Sequence, residues 1–191
     1  MPPAAAHADE DLMQAYAGGD MAAFTTLYDR HAQRIWRYVY RHVGDRAVAD
    51  DLVQDVWLAV VREATRYEVR ARFTTWLFTL AHNRMVDHHR TRKSHTSLDV
   101  ENEEGQALAE TLVANSGYGP VRQIESRQQA QQLLAALDAL PLEQREAFVL
   151  QAESGMSVAE IAEATGVGME TAKSRLRYAR AALRRALEEM A

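Results

Sequence analysis

Between positions 169 and 187 this chain carries Lys173, Arg175, Arg177, Arg180, Arg184 and Arg185, with Glu170 as the only acid. Thr171 and Ser174 lie among them. Side chains of these types on one helix suit phosphates and the edges of bases in a DNA major groove. A second set runs from Arg66 to Arg90. Arg70, Arg72 and Arg90 accompany Tyr67, Trp76, Thr79 and Asn83 there. Aromatic rings stack on unpaired bases, and the cations neutralise the backbone of a single strand; a plain core-forming helix with a cationic outer face is the alternative. A third set, Asp51, Gln54, Asp55 and Leu58, mixes acids with one apolar side chain. It suits a basic protein surface rather than a nucleic acid. A fourth, His82, Asp87, His88 and His89, looks like metal ligands but is badly spaced. His82 and His89 share a helix face yet are separated by about 10.5 Å of rise, too far for one ion. The chain has no cysteine, so disulfides, thiolate metal sites and cysteine nucleophiles are excluded. No catalytic constellation is visible, and neither a metal nor another cofactor is expected.

The elements that position these sets are legible from period and punctuation. Ser157 followed by Glu160 forms a capping box for a short helix with Val158, Ile161 and Ala162 on its apolar side. Gly166 ends that helix. A longer helix starts at about Met169, so the pair is a helix-turn-helix. In the second helix Ala172, Leu176, Ala179 and Leu183 mark a core stripe. Lys173, Arg177, Arg180 and Arg184 run roughly 100° round the axis from it. A solvated cationic face is the plain alternative. The capping box, the glycine turn and the basic second helix together favour DNA.

Upstream, a short helix is expected over residues 9–17, broken by Gly18-Gly19-Asp20. Asp20 then caps a helix through about Val43, with Phe24, Leu27, Tyr28, His31, Ile35, Tyr38, Val39 and His42 along one side. His31 and His42 fit core-edge positions. After Gly44 the next helix spans about 47–64, with Ala49, Leu52, Val53, Val56, Ala59 and Val60 inward. Asp51, Gln54, Asp55 and Leu58 face out. A lone exposed leucine is the alternative to a docking site. The 73–92 helix is expected to bury Phe73, Trp76, Leu77, Leu80, Ala81 and Met85. Thr75, Thr79, His82, Asn83, Val86 and Arg90 take the other side. Arg84 falls in the apolar arc, where it snorkels or pairs with Asp87. Residues 94–120 are polar and acidic without a sustained period and read as a flexible linker. From Val121 an amphipathic helix carries Ile124, Leu133, Leu134, Leu137 and Leu140, and Pro141 separates it from a helix anchored by Phe148, Val149 and Leu150.

Hydrophobic residues make up 47% and charged residues 26% of the chain, as in a soluble globular protein. No apolar run of about 18 residues exists, and the first residues lack the features of a secretory signal, so a cytoplasmic protein is expected. The formal net charge is −5. Basic side chains are concentrated in the C-terminal helix and between Arg70 and Lys93. An acidic chain with two basic patches should bind DNA weakly alone, which calls for a helping partner.

Five stretches together resemble the extracytoplasmic-function (ECF) group of bacterial RNA polymerase sigma factors. They are GDMAAFTTLYDRH (18–31), DDLVQDVWLAV (50–60), RFTTWLFTLAHNRMVDHHR (72–90), LPLEQREAFVL (140–150) and SVAEIAEATGVGMETAKSRLRYAR (157–180). They occur in the family's order. The resemblance implies an all-α protein of two small helical domains joined by the acidic linker. Residues 1–93 would be a region 2-like domain and residues 121–191 a region 4-like domain. It implies core RNA polymerase, through its clamp helices and flap, and promoter DNA as partners. An anti-sigma factor, often at the inner membrane, is a further expected partner; direct membrane insertion is not expected. Asp51, Gln54, Asp55 and Leu58 would dock on polymerase. Tyr67, Arg70, Arg72, Trp76, Thr79, Asn83 and Arg90 would melt and read the minus-ten element. Glu170, Thr171, Lys173, Ser174, Arg175 and Arg177 would read the minus-thirty-five element as duplex. The linker would thread toward the RNA channel. The family's "A-R-N" triplet is Ala81-His82-Asn83 here, so a histidine replaces an arginine. Gly168 stands where a serine or proline is common. The alternative function is a helix-turn-helix regulator that is not a polymerase subunit. It would need a dimer interface or effector pocket in residues 1–93 and gives no reason for Asp51, Asp55 and Leu58 to face outward.

Overall fold

A computed structural model describes residues 7–93 and 127–188. The chain divides into two compact units, Met1–Ser94 and His95–Ala191. Among the described residues every regular element is helical. The linker segment 94–120, Val121 and Ile124 lie outside the described residues.

Unit 1 contains α1 (Asp9–Ala17), α2 (Met21–Val43), α3 (Arg46–Glu63) and α4 (Phe73–Lys93), with a 3-10 turn at Ala64–Arg66. Asp20 caps α2 by accepting from the backbone N–H of Ala22 and Ala23, and Asp45 caps α3 through Val48 N–H. Gly44 ends α2 at φ 70°, a left-handed conformation that a Cβ would disfavour. The expected inward arc of α3 is buried throughout, and Trp57 joins it. Along α2, Leu27, His31, Ile35, Tyr38 and Val39 are buried. Tyr28 is exposed, while Phe24 and His42 are half-buried.

The buried arc of α4 differs from the expected one. Phe73, Leu77, Ala81 and Met85 are buried, but so are Phe78 and Thr75. Trp76 and Leu80 are only half-buried. The helix packs against α3 on one side and α2 on another, so its core contact turns toward Phe78, whose ring lies 5.3 Å from that of Tyr38. Thr75 therefore does not share the outer face with Thr79 and Asn83. Arg84 is paired with Asp87 at 4.0 Å, at the long limit of an ion pair.

Helix α1 is pinned to α2 by Asp9, whose carboxylate accepts from Arg30 Nη1 at 2.7 Å and meets His31 Nε2 at 2.8 Å. Burial raises the pKa of this carboxyl, but the His31 and Arg30 hydrogen bonds outweigh it and hold it below its ordinary 3.8. A depressed folded-state pKa gives stability that is present above 3.8 and lost as pH falls through the lower folded value. Asp9→Asn should therefore destabilise the protein near neutral pH, and the gap from wild type should narrow in acid below 3.8. Denaturant titrations across this range check it. A gap that stays constant would show that the carboxylate's charge is not what matters.

Unit 2 contains α5 (Arg127–Asp138), α6 (Leu142–Val149), a single π-helical turn (Leu150–Ser154), α7 (Val158–Ala164) and α8 (Met169–Glu188). Helix α8 packs against α5, α6 and α7. Its buried stripe is Ala172, Leu176, Ala179 and Leu183, as the spacing predicts. The capping box of α7 is formed: Glu160 N–H donates to Ser157 Oγ at 3.2 Å and Ser157 N–H to Glu160 Oε2 at 2.8 Å. Gly166 follows α7 at φ 66° and turns the chain toward α8.

Candidate functional site

Three outward faces carry the side chains singled out by the sequence. On α3, Asp51, Gln54, Asp55 and Leu58 are all exposed, opposite the buried arc. Leu58 is 47% exposed and stands at the rim of a groove of about 440 Å³ between α2 and α3. Phe24, Tyr28, Trp57 and Val61 line its apolar walls. Tyr28 and Trp57 rings approach to 4.9 Å. Trp36 Nε1–H donates to Asp50 Oδ1 at 2.6 Å at its edge. The sequence reading missed this apolar groove. Its walls come from two helices, so no single periodic stripe reports it.

The second face belongs to the loop after the 3-10 turn and to α4. Asn83 and Arg90 are exposed, and Trp76 and Thr79 are half-buried beside them on one side of the helix. Half-burial of Trp76 is what leaves an indole edge on this face. Arg70 and Arg72 are exposed in the loop, where Arg70 pairs with Glu68 at 2.6 Å. The Tyr67 ring turns inward, 5.0 Å from Trp76 and 6.3 Å from Phe73. Burial, with the Glu10 and Asp9 carboxylates nearby, pushes its phenol up to about 12, so it stays protonated.

The third face is that of α8. Glu170, Thr171, Lys173 and Arg177 are exposed, whereas Ser174 and Arg175 are half-buried. Arg175 flanks the core stripe, roughly 160° round the axis from Arg177. Lys173 pairs with Glu170 at 3.6 Å. Tyr178 is exposed about 100° round the axis from Arg177, whose guanidinium lies 4.9 Å from its ring centre and is bonded to its hydroxyl at 3.2 Å. Tyr178 was not among the expected reading residues; an exposed aromatic close in sequence to Arg175, Arg177 and Arg180 is the signal that marks it. Exposed Arg180 donates to Gln151 on the π-helical turn, so its guanidinium is engaged within unit 2. Among the described residues, no group of three or more His, Asp or Glu side chains is placed to hold a metal ion.

Residues 27–95 match the family described as Sigma-70 region 2, and residues 130–183 match Sigma-70, region 4. The RNA polymerase sigma factor CarQ of Myxococcus xanthus is 32% identical over 178 residues, covering 93% of this chain and 97% of that protein. The ECF RNA polymerase sigma factor SigL of Mycobacterium tuberculosis is 31% identical over 175 residues, covering 91% and 94%. The chain belongs to the ECF RNA polymerase sigma factors. Its function is that of a sigma factor: it binds core RNA polymerase and directs promoter recognition and transcription initiation. SigW of Bacillus subtilis is 28% identical over 90% of this chain and 92% of its own length.

Solved structures share the fold. CnrH, in complex with the cytosolic domain of CnrY, superposes with a TM-score of 0.64 at 24% identity, covering 97% of this chain and 100% of that one. RpoE of Bartonella quintana, in complex with the anti-sigma factor NepR, gives 0.61 at 24% identity over 86% and 96%. In this sigma factor no described helix is long and apolar enough to cross a membrane.

Proposed function

We propose that the three faces divide the work of initiation. The α3 face of Asp51, Gln54, Asp55 and Leu58 docks on the polymerase clamp helices. The loop and α4 face, with Tyr67, Arg70, Arg72, Trp76, Thr79, Asn83 and Arg90, captures and reads the melted minus-ten element. The α8 face of Glu170, Thr171, Lys173, Ser174, Arg175 and Arg177 reads the minus-thirty-five element as duplex. Residues 1–93 thus act as the docking and melting domain, residues 94–120 as a linker, and residues 121–191 as the duplex reader beside the flap. The protein works in the cytoplasm, performs no catalysis and leaves RNA synthesis to the polymerase. An anti-sigma factor holds it in reserve, a reading supported by the complexes of RpoE with the anti-sigma factor NepR and of CnrH with the cytosolic domain of CnrY.

One observation carries this division. Acids with an exposed leucine occupy one face of α3, while cations with amide and aromatic groups occupy the loop before α4 and the outer side of that helix. A protein contact and a nucleic-acid contact therefore use different helices of one unit. In vitro transcription with purified core polymerase and a promoter library is the direct test. Transcription from no promoter, with duplex binding in the absence of polymerase, would favour the independent regulator instead.

Within the α4 face two side chains should separate. Asn can read a base edge through paired donor and acceptor, whereas Arg at the far end supplies charge. Asn83→Ala should relax base preference in the minus-ten element. Arg90→Ala should lower affinity for all sequences alike. If Asn83→Ala keeps full sequence preference in the library, this side chain does not read a base.

A further inference from the structure

We infer that Glu10, on α1, is a positioning residue for capture of the melted strand. It rests on the proposed reading of residues 66–90, and names a residue outside them. Phe73 opens α4, so its N–H has no partner within the helix. The preceding Arg72, whose carbonyl accepts from Trp76 N–H at 3.1 Å, has no acceptor in its side chain. The acceptor comes instead from 63 positions away: Phe73 N–H donates to Glu10 Oε1 at 2.6 Å. A distant helix thus supplies the cap that the local sequence lacks.

The neighbouring residue makes that cap rigid. Asp9 is held by Arg30 and His31 on α2, so the turn presenting Glu10 is fixed to the core. The Phe73 ring lies 5.5 Å from His31 and 5.8 Å from Trp76. The Tyr67 ring packs on Phe73 and Trp76, and its buried hydroxyl has no hydrogen-bond partner among the described residues. Loop residues Glu68 and Arg70 bond mainly to each other. The loop therefore takes its place from the Tyr67 ring and the first turn of α4, and Glu10 anchors that turn. Acids in a first turn often serve only to complement the helix dipole. Exposed Asp11 fits that role, but half-buried Glu10 reaches another helix.

The test uses the full chain assembled with core polymerase. Binding of a fluorescent single-stranded minus-ten oligonucleotide is measured beside affinity for core. Glu10→Ala should weaken oligonucleotide binding about tenfold, since it removes a charge-assisted hydrogen bond, and leave core affinity unchanged. Glu10→Gln keeps the reach and the acceptor and should restore binding to within about threefold. Glu10→Asp keeps the charge but falls short of Phe73 N–H and should behave like Glu10→Ala, which keeps the test open if the alanine variant does not fold. Trp76→Ala is the control for the underlying reading. Loss with Trp76→Ala but wild-type binding with Glu10→Ala would overturn the inference and leave the reading standing. Wild-type binding in both would remove the reading and the inference together. Equal loss of strand and core affinity, or rescue by Asp rather than Gln, would show a general structural or charge effect and overturn it.

Discussion

Asp51→Arg or Asp55→Arg should weaken binding to core RNA polymerase by about 2–5 kcal/mol and leave the fold intact. The two acids are exposed one turn apart on α3, and the whole inward arc of that helix is buried without them. Their replacement removes no core contact, so the melting temperature should stay close to wild type. Their mutual repulsion is mild in the free protein. It is offset in a complex by a basic partner, and charge reversal turns that gain into repulsion in a desolvated contact. Leu58→Ala should act in the same direction with a smaller loss. The groove beside Leu58 gives that leucine a physical context: a partner seated on it would cover Tyr28 and Val61 as well as Leu58, all exposed in the free unit. Affinity of purified variants for core polymerase, measured beside thermal melts, decides the matter. Unchanged affinity in all three variants would remove α3 as the docking face.

Helices whose buried residues keep to one stripe were readable from the sequence. The inward arc of α3 and the Ala172–Leu183 stripe of α8 follow one period, so apolar spacing alone located both. Capping was equally local: Ser157 with Glu160, and Asp20 before α2, need only their own neighbours. Helix α4 was misjudged because its buried residues, from Phe73 and Leu77 to Phe78 and Thr75, spread over about 200° of the axis and leave no clean stripe. Trp76 belongs to the outer face for that reason. The π-helical turn at Leu150–Ser154 had no sequence signal, since it continues α6 with one wider turn rather than starting an element. The contacts that shape the candidate site are long-range. The Phe73–Glu10 bond and the walls of the α2–α3 groove join residues whose proximity only the fold creates. Family resemblance named candidate reading residues but could not orient them. Arg175 proves to flank the core, and Tyr178 stands where a reader was not expected.

The side chains of α8 should divide by the same geometry. The whole chain carries a formal charge of −5, so the proposed binding of α8 to DNA would rest on its local stripe, presented by polymerase. Lys173 and Arg177 lie on its exposed side, in its first half. Replacing whichever of them contacts a phosphate with Ala should lower the salt slope of polymerase–promoter binding by about one and leave specificity nearly unchanged. Lys173 has Glu170 as an exposed partner, a pair that holds it only weakly. Arg177 is steadied over the Tyr178 ring, which preorganises its guanidinium for a phosphate oxygen. Arg175 is half-buried on the other flank, near Thr171, where a side chain has less freedom and a fixed direction. Arg175→Ala should instead flatten base preference within the minus-thirty-five element, by about 1–3 kcal/mol if its fork meets a guanine. The two classes of effect separate in one assay, salt-dependent binding to matched and mutated elements. If all three variants keep the wild-type slope and the wild-type preference, α8 is not the reader. Its cations would then be a solvated face, and duplex recognition would have to come from elsewhere in unit 2.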